Sequence, residues 1–284
     1  MIIIAESGAT KTAWKSVDDH GHVRSVKTGG MSPTCLDPEH IQSIVREAIP
    51  LLNPVGSHVD AVYFYGAGLV SEEVAAPIRY ALEMWCPFAQ MHFHSDLLAA
   101  ARALFGDGEG VVAIMGTGSN SCMYSGGMTH TRFYSGGFII GDEGSGSALG
   151  KALVADYIKG LLPQEVARAF DQKYSLDYQQ IVRKVYREPG AAAFLASFAP
   201  FVFDHIGEPT GHMGSLLNDC LESFVKRVLA RYSDGSGTPV KVGVVGSFGC
   251  VCQDRLRAIG SRYGVEFVKF VKSPIEELVR YHGI

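Results

Sequence analysis

The sequence predicts an α/β protein built in two halves. Three observations carry that prediction. Short β-branched runs alternate with helical patterns over the first third of the chain, and the same strand pattern restarts at Val111. Each start is followed directly by a glycine-rich turn: Ile2–Ala5 runs into Glu6–Thr12, and Val111–Ile114 runs into Gly116–Ser119. Finally, at 284 residues the chain is longer than the roughly 250 at which one hydrophobic core stops growing.

In order along the chain, the β-branched run Ile2–Ala5 reads as a buried strand, and Thr12–Val17 and Val23–Lys27 read as the strands that follow it. Pro38 opens a helix in which Ile41, Ile44, Val45, Ala48 and Leu52 recur at helical spacing. Val59–Tyr65 is a strand closed by glycines, Ser71–Trp85 a helix, Gln90–His94 a strand, and Ser95-Asp96 opens the helix Leu97–Leu104. Gly106–Gly110 is a turn-rich junction. Beyond it, Val111–Met115, Ser119–Tyr124 and Met128–Phe133 predict a strand meander, and Gly136–Gly146 a loop into a helix ending near Tyr157. Helices are expected over Gln164–Gln172, Tyr178–Tyr186, Ala191–Asp204 and Ser215–Tyr232. Val240–Val245 is then a strand, Gly246–Gly249 a turn, Cys252–Tyr263 a helix and Val265–Val271 a strand. A terminal helix begins at Ser273-Pro274, with Ser273 as its N-cap.

Composition narrows the function. A net charge of −4 gives no electrostatic case for nucleic acid. The apolar start, Met1–Ala5, is too short for a secretory segment, and no window approaches the roughly 20 apolar residues of a membrane span. A cytoplasmic protein is the expectation. Of the six cysteines only Cys250 and Cys252 are close-spaced, without the second pair a zinc site needs, so buried free thiols are expected.

The glycine turns carry the chemistry. Gly supplies backbone that lets a ligand approach, and small hydroxyl residues leave donors that suit an anion. Glu6-Ser7-Gly8-Ala9-Thr10-Lys11-Thr12 reads as a phosphate loop with Glu6 reaching a hydrated metal, or as a β-hairpin turn with an exposed lysine. It lacks Walker A spacing. Gly116-Thr117-Gly118-Ser119 reads as a second phosphate loop or a plain turn. In Gly136–Gly146, five glycines with Asp142 and Glu143 suit the hydroxyls of a sugar, although Asp142 or Ser145 could simply cap a helix. Asp96 ends a strand where α/β sites gather; it could accept a proton from an attacking hydroxyl, or cap the helix that follows. His92 and His94 share its strand, and a structural role is favoured over metal ligation.

In this order the motifs SGATKT, Asp96, GTGSNS, GDEGSG and VVGSFG resemble the actin-like (sugar kinase, heat-shock and actin) ATPase superfamily. Within it the chain is similar to the BadF/BadG/BcrA/BcrD group and its N-acetylglucosamine kinase relatives, over nearly its full length. The resemblance implies two actin-like (ribonuclease H-like) α/β domains with an ATP cleft between them. The expected division is 1–106 with the terminal helix 274–284, against 107–273. It implies ATP and Mg²⁺ as cofactors and an amino sugar as substrate. Gly8, Ala9, Thr10 and Lys11 would form the first phosphate loop, and Gly116, Thr117, Gly118 and Ser119 the second. Gly246 and Ser247 would lie by the adenosine, Asp96 would be the base, and Gly141 and Asp142 would hold the sugar. Two residues depart from the family pattern: Ser32 stands where the family has Asn in its early sugar loop, and Glu6 where it has Asp. The first leaves the sugar's identity open, the second the metal's placement. The oligomeric state, homodimer included, is left open too. Two rival readings are an ATPase activator of a reductase, which would need cluster-binding cysteines before Gly116, and a catalytically silent sugar- or nucleotide-binding protein.

Overall fold

The computed structural model describes residues 1–8, 10–31, 37–69, 71–207 and 211–283. These divide into two compact units, one of Met1–Gly108, Ser125–Thr129 and Ser273–Ile284, the other of Glu109–Tyr124 and His130–Lys272.

The first unit is built on the sheet β3-β2-β1-β4-β5, formed by β1 (Ile2–Ser7), β2 (Lys11–Val17), β3 (Val23–Gly29), β4 (Ala61–Gly66) and β5 (Gln90–Ser95). β1 pairs antiparallel with β2 and parallel with β4, and β4 parallel with β5. Both faces of this sheet are covered, which is why β1 is a continuous apolar run without polar alternation. Ile3 and Ala5 pack with α1 (Pro38–Leu52) and α2 (Glu72–Glu83) through Ile41, Val45, Ala48, Ile78 and Leu82. Ile4 turns the other way, into a cluster with Val17, Tyr65, Ala99 of α3 (Asp96–Phe105) and Ile275, Leu278 and Val279 of the terminal helix. α1 starts where Asp37 caps the N–H of His40 and Pro38 takes the first turn.

The second sheet has the order β10-β9-β6-β7-β8, from β6 (Gly110–Met115), β7 (Ser119–Ser125), β8 (Met128–His130), β9 (Val240–Val245) and β10 (Val265–Val271). With β6 antiparallel to β7 and parallel to β9, it repeats the first sheet strand for strand, as the restart at Val111 predicts. The helices between β8 and β9 are α4 (Gly137–Ile140), α5 (Gly146–Ile158), α6 (Gln164–Tyr174), α7 (Tyr178–Tyr186), α8 (Ala191–Ala196), α9 (Ala199–Asp204) and α10 (His212–Arg227). A 3₁₀ turn, Leu229–Tyr232, follows α10. α11 (Ser247–Val251) and α12 (Gln253–Arg262) link β9 to β10, and α13 (Ile275–Tyr281) ends the chain.

Several local expectations are corrected. The strand expected to reach Phe133 stops at His130, and α4 interrupts the glycine loop. The helix expected over Ala191–Asp204 breaks into α8 and α9, because Pro200 in the first turn of α9 has no N–H to continue the ladder. The segment Ser215–Tyr232 leaves the α-helical path at Val228. Gly246–Gly249 is the entry to α11 rather than a plain turn. Ser273 does not cap α13; Pro274 occupies that place with no side-chain cap bond.

Candidate active site

In the first unit the parallel strands β1, β4 and β5 end together, with Ser7, Gly66 and Ser95 in register. The carboxyl ends of such strands are where α/β sites form. Glu6 sits one residue before that row. Burial pushes its carboxyl up to about 7, Lys11 pulls it back, and the charge of Asp96 raises it further. The turn from β1 to β2 is a hairpin closed by the Gly8 N–H donating to the Lys11 carbonyl at 2.9 Å. Thr10 and Lys11 are exposed on it, while Ala9 lies outside the described residues. Ser7 is absorbed by structure: its hydroxyl shares a hydrogen with Thr12 at 2.8 Å and accepts from the Met31 N–H. Ser32, next in line, also lies outside the described residues.

At the end of β5 the cap falls to Ser95, whose Oγ accepts from the Leu98 N–H at 3.2 Å. Asp96 is therefore the first helical residue, not the cap. Its Oδ1 accepts from the Leu97 N–H at 2.9 Å. Burial raises its pKa, against the pull of backbone N–H groups. His92 and His94 point to another partnership. His92 stacks on Tyr63, which stacks on His282, and His94 lies against Tyr65. Among the described residues no set of three or more His, Cys, Asp or Glu is placed to hold a metal.

In the second unit the loop Gly116–Ser119 is braced on all sides. The Gly116 N–H donates to the Gly118 carbonyl, and the first N–H groups of α5, from Gly146 and Ser147, donate to the carbonyls of Gly116 and Thr117. Ser145 caps α5 by accepting from the Ala148 N–H. Ser119 donates its N–H to Asp142 Oδ1 at 3.1 Å and its hydroxyl to the Glu143 carbonyl at 2.7 Å. Among the described residues nothing accepts from the N–H groups of Thr117 and Gly118 or from the Thr117 hydroxyl, so these are the donors the loop presents.

Asp142 is buried and its pKa is raised, by burial first. Its backbone is left-handed, φ 56°, and it abuts Gly118 so closely that a Cβ there would lie 2.8 Å from Oδ2. The glycine at 118 is thus demanded by Asp142. A Cβ on Gly116, by contrast, would meet open space. Packing also accounts for Gly141, where a Cβ would strike the Ser135 carbonyl. The same holds at Gly246, with φ +129° and the Met115 carbonyl 2.1 Å from a Cβ position. The Gly246 N–H joins the end of β10 by donating to Val271, and Ser247 opens α11. The bracing of the Gly116–Ser119 loop by Asp142 had no signal in the sequence beyond the proximity of both residues to glycine.

No protein-family model matches the chain, and a search of curated proteins returns no match. Solved structures do match. A Porphyromonas gingivalis protein provisionally named N-acetylglucosamine kinase aligns with 34% identity and a TM-score of 0.91, over 99% of this chain and 98% of its own. This chain belongs to that family, the N-acetylglucosamine kinase-like proteins of actin-like fold. A Chromobacterium violaceum protein of the same provisional name aligns at 19% identity and TM-score 0.73, covering 99% and 98% of the two chains. A Streptomyces griseus glucokinase of the ROK family, solved with glucose and AMPPNP, aligns at 17% and 0.56, covering 99% and 97%. These two share the fold.

Proposed function

We propose that this chain is an ATP-dependent sugar kinase that phosphorylates a hydroxyl of N-acetylglucosamine or a close relative. The observation that carries the reading is Asp96: a partly buried carboxylate at the carboxyl end of a parallel strand, relieved of capping by Ser95, with its pKa raised. Such a group is suited to orient a sugar hydroxyl and take its proton. Full-length likeness to the Porphyromonas gingivalis protein supports the acceptor class.

Glu6 fits a Mg²⁺ role because it is a desolvated carboxylate beside a second one, and a cation would relieve both. Mg²⁺ is commonly held through one or two carboxylates and phosphate oxygens, without a protein cage. When bound it would offset charge on the transferring phosphoryl group. The unpartnered donors of Thr117 and Gly118 suit phosphate oxygens, and Lys11 on the β1–β2 turn adds an exposed positive charge. Gly8, Thr10, Gly246 and Ser247 are the remaining nucleotide candidates. Gly141 and Asp142 are assigned to the sugar, with Asp142 also bracing the phosphate loop.

A coupled assay of ADP formation over a panel of hexoses and amino sugars tests this. N-acetylglucosamine or a near relative should be turned over at least tenfold better than glucose. Sugar-independent ATP hydrolysis, or no turnover of any sugar, would refute the kinase reading.

A further inference from the structure

A basic cavity opens in the second unit beside the Asp142 turn. It has a volume of about 630 Å³, and its walls include Arg132, Phe133, Glu143, Arg227 and Arg231 together with Gly141, the glycine assigned to the sugar, which it borders. Three guanidinium groups thus face a single carboxylate. Glu143 is engaged by Arg227 at 2.7 Å. Among the described residues no carboxylate pairs with Arg132 or Arg231. On a chain of net charge −4, that concentration of positive charge needs a reason.

The cations are mounted on a fixed platform. Arg231 lies over the Phe133 ring at 4.4 Å and Arg132 over the same ring at 5.2 Å. The Phe133 ring meets Tyr232 edge to face, with centroids 5.0 Å apart. Tyr232 is buried, and its hydroxyl lies 3.1 Å from that of Ser121 on β7. The negative end of α10 accounts for Arg227, in its last turn, and for Arg231, whose guanidinium donates to the Arg227 carbonyl at 3.5 Å. It does not account for Arg132, which arrives from the segment after β8. Arg132 and Arg231 line the same cavity, and their charges together raise its attraction for an anion. The guanidinium fork matches phosphate geometry. With Phe133 already covered by cations, the cavity offers charge rather than a stacking surface.

We infer that this cavity binds a small phosphate-bearing anion, separately from the Gly116–Ser119 loop. The site communicates with that loop. An anion that recruits Arg227 competes with Glu143, whose neighbour Asp142 holds the Ser119 N–H.

The test is calorimetric titration of inorganic pyrophosphate into full-length protein saturated with a non-hydrolysable ATP analogue. One pyrophosphate should bind per chain, and raised salt should weaken it. Arg132→Gln with Arg231→Gln should cost at least tenfold in affinity. Both side chains are exposed, so the melting temperature of the double variant should stay within a few degrees of wild type. Glu143→Gln should tighten binding by releasing Arg227. Absence of binding to the analogue-saturated protein, or equal binding by the double variant, overturns the site; weaker binding in Glu143→Gln overturns its link to the turn. Failure of the analogue itself to bind would refute the nucleotide reading instead. The pyrophosphate comparison between wild type and double variant would still decide the site.

Discussion

Ser95 and Asp96 are neighbours with separable duties, which makes each testable through the other. Asp96→Asn keeps the side chain's shape and leaves the Ser95 cap untouched. It removes the only proton acceptor assigned to the reaction. Turnover should fall about 10²–10⁴-fold, the usual range for loss of a general base. The melting temperature should hold within a few degrees, and ATP-analogue affinity should persist. Ser95→Ala should do the reverse, losing about 1 kcal/mol of stability with turnover kept within severalfold. An Asp96→Asn enzyme within threefold of wild type would eliminate Asp96 as base. Glu6→Gln keeps the shape of a half-buried residue and removes a desolvated charge, so no fall in melting temperature is expected. Its expected signature is a higher Mg²⁺ requirement, read from initial rates at limiting metal. Rates indistinguishable from wild type there would remove the metal role.

Among elements, the Gly116–Ser119 loop separates what folding requires from what a ligand requires. Gly118→Ala places a Cβ 2.8 Å from Asp142 Oδ2, so the loop or the carboxylate must shift. A loss of about 1–3 kcal/mol is expected from such overpacking. Gly116→Ala meets nothing within 4 Å and should melt like wild type. If phosphate approaches there, the alanine should still weaken an ATP analogue severalfold in titration. Unchanged affinity would move the phosphate away from Gly116. The loop's position after a β-branched strand was legible in the sequence, as were the central strands β1, β6 and β9, because buried strands leave continuous apolar runs. The brace from Asp142 was not, since it joins residues far apart in the chain through one hydrogen bond. Nor were α4 and α11, whose single turns are too short for helical periodicity to register. The density of glycine between 136 and 146 reads from sequence as ligand approach. At Gly141, the structure gives close backbone packing as the cause.

For the whole molecule, the chain ends by returning to the unit in which it began. Ile275, Leu278 and Val279 of α13 pack with Ala99 of α3, the helix that carries Asp96. The docking is completed by polar groups. Tyr65 OH lies 2.9 Å from His282 Nε2 and accepts from Arg102 at 2.6 Å. His282 stacks on Tyr63, and Arg102 lies over the rings of Tyr65 and Tyr281. Burial, then the charge of Arg102 and the neighbouring histidines, lowers the pKa of His282 to about 4; His94 is lowered to about 4 by burial, Arg102 and His92. A histidine whose folded pKa lies below its unfolded value of about 6.5 is held neutral by the fold. The unfolded chain then binds more protons between those values. The stability such a histidine contributes is complete above about 6.5, declines as pH falls, and is gone below about 4. Glu6 and Asp96, with raised pKa values, drive the same unit in the opposite direction, so the raw pH profile mixes both effects. Comparison of wild type with His282→Asn isolates the histidine. The variant should be less stable at pH 7.5, and its deficit should shrink steadily as pH falls from 6.5 toward 4. Hydrogen exchange, compared at equal pH, should place the loss of protection in α3 and α13, with β9 unaffected. A deficit that stays constant with pH would show that His282 acts by packing alone, and protection lost equally in β9 would show that the tail stabilises more than its own unit.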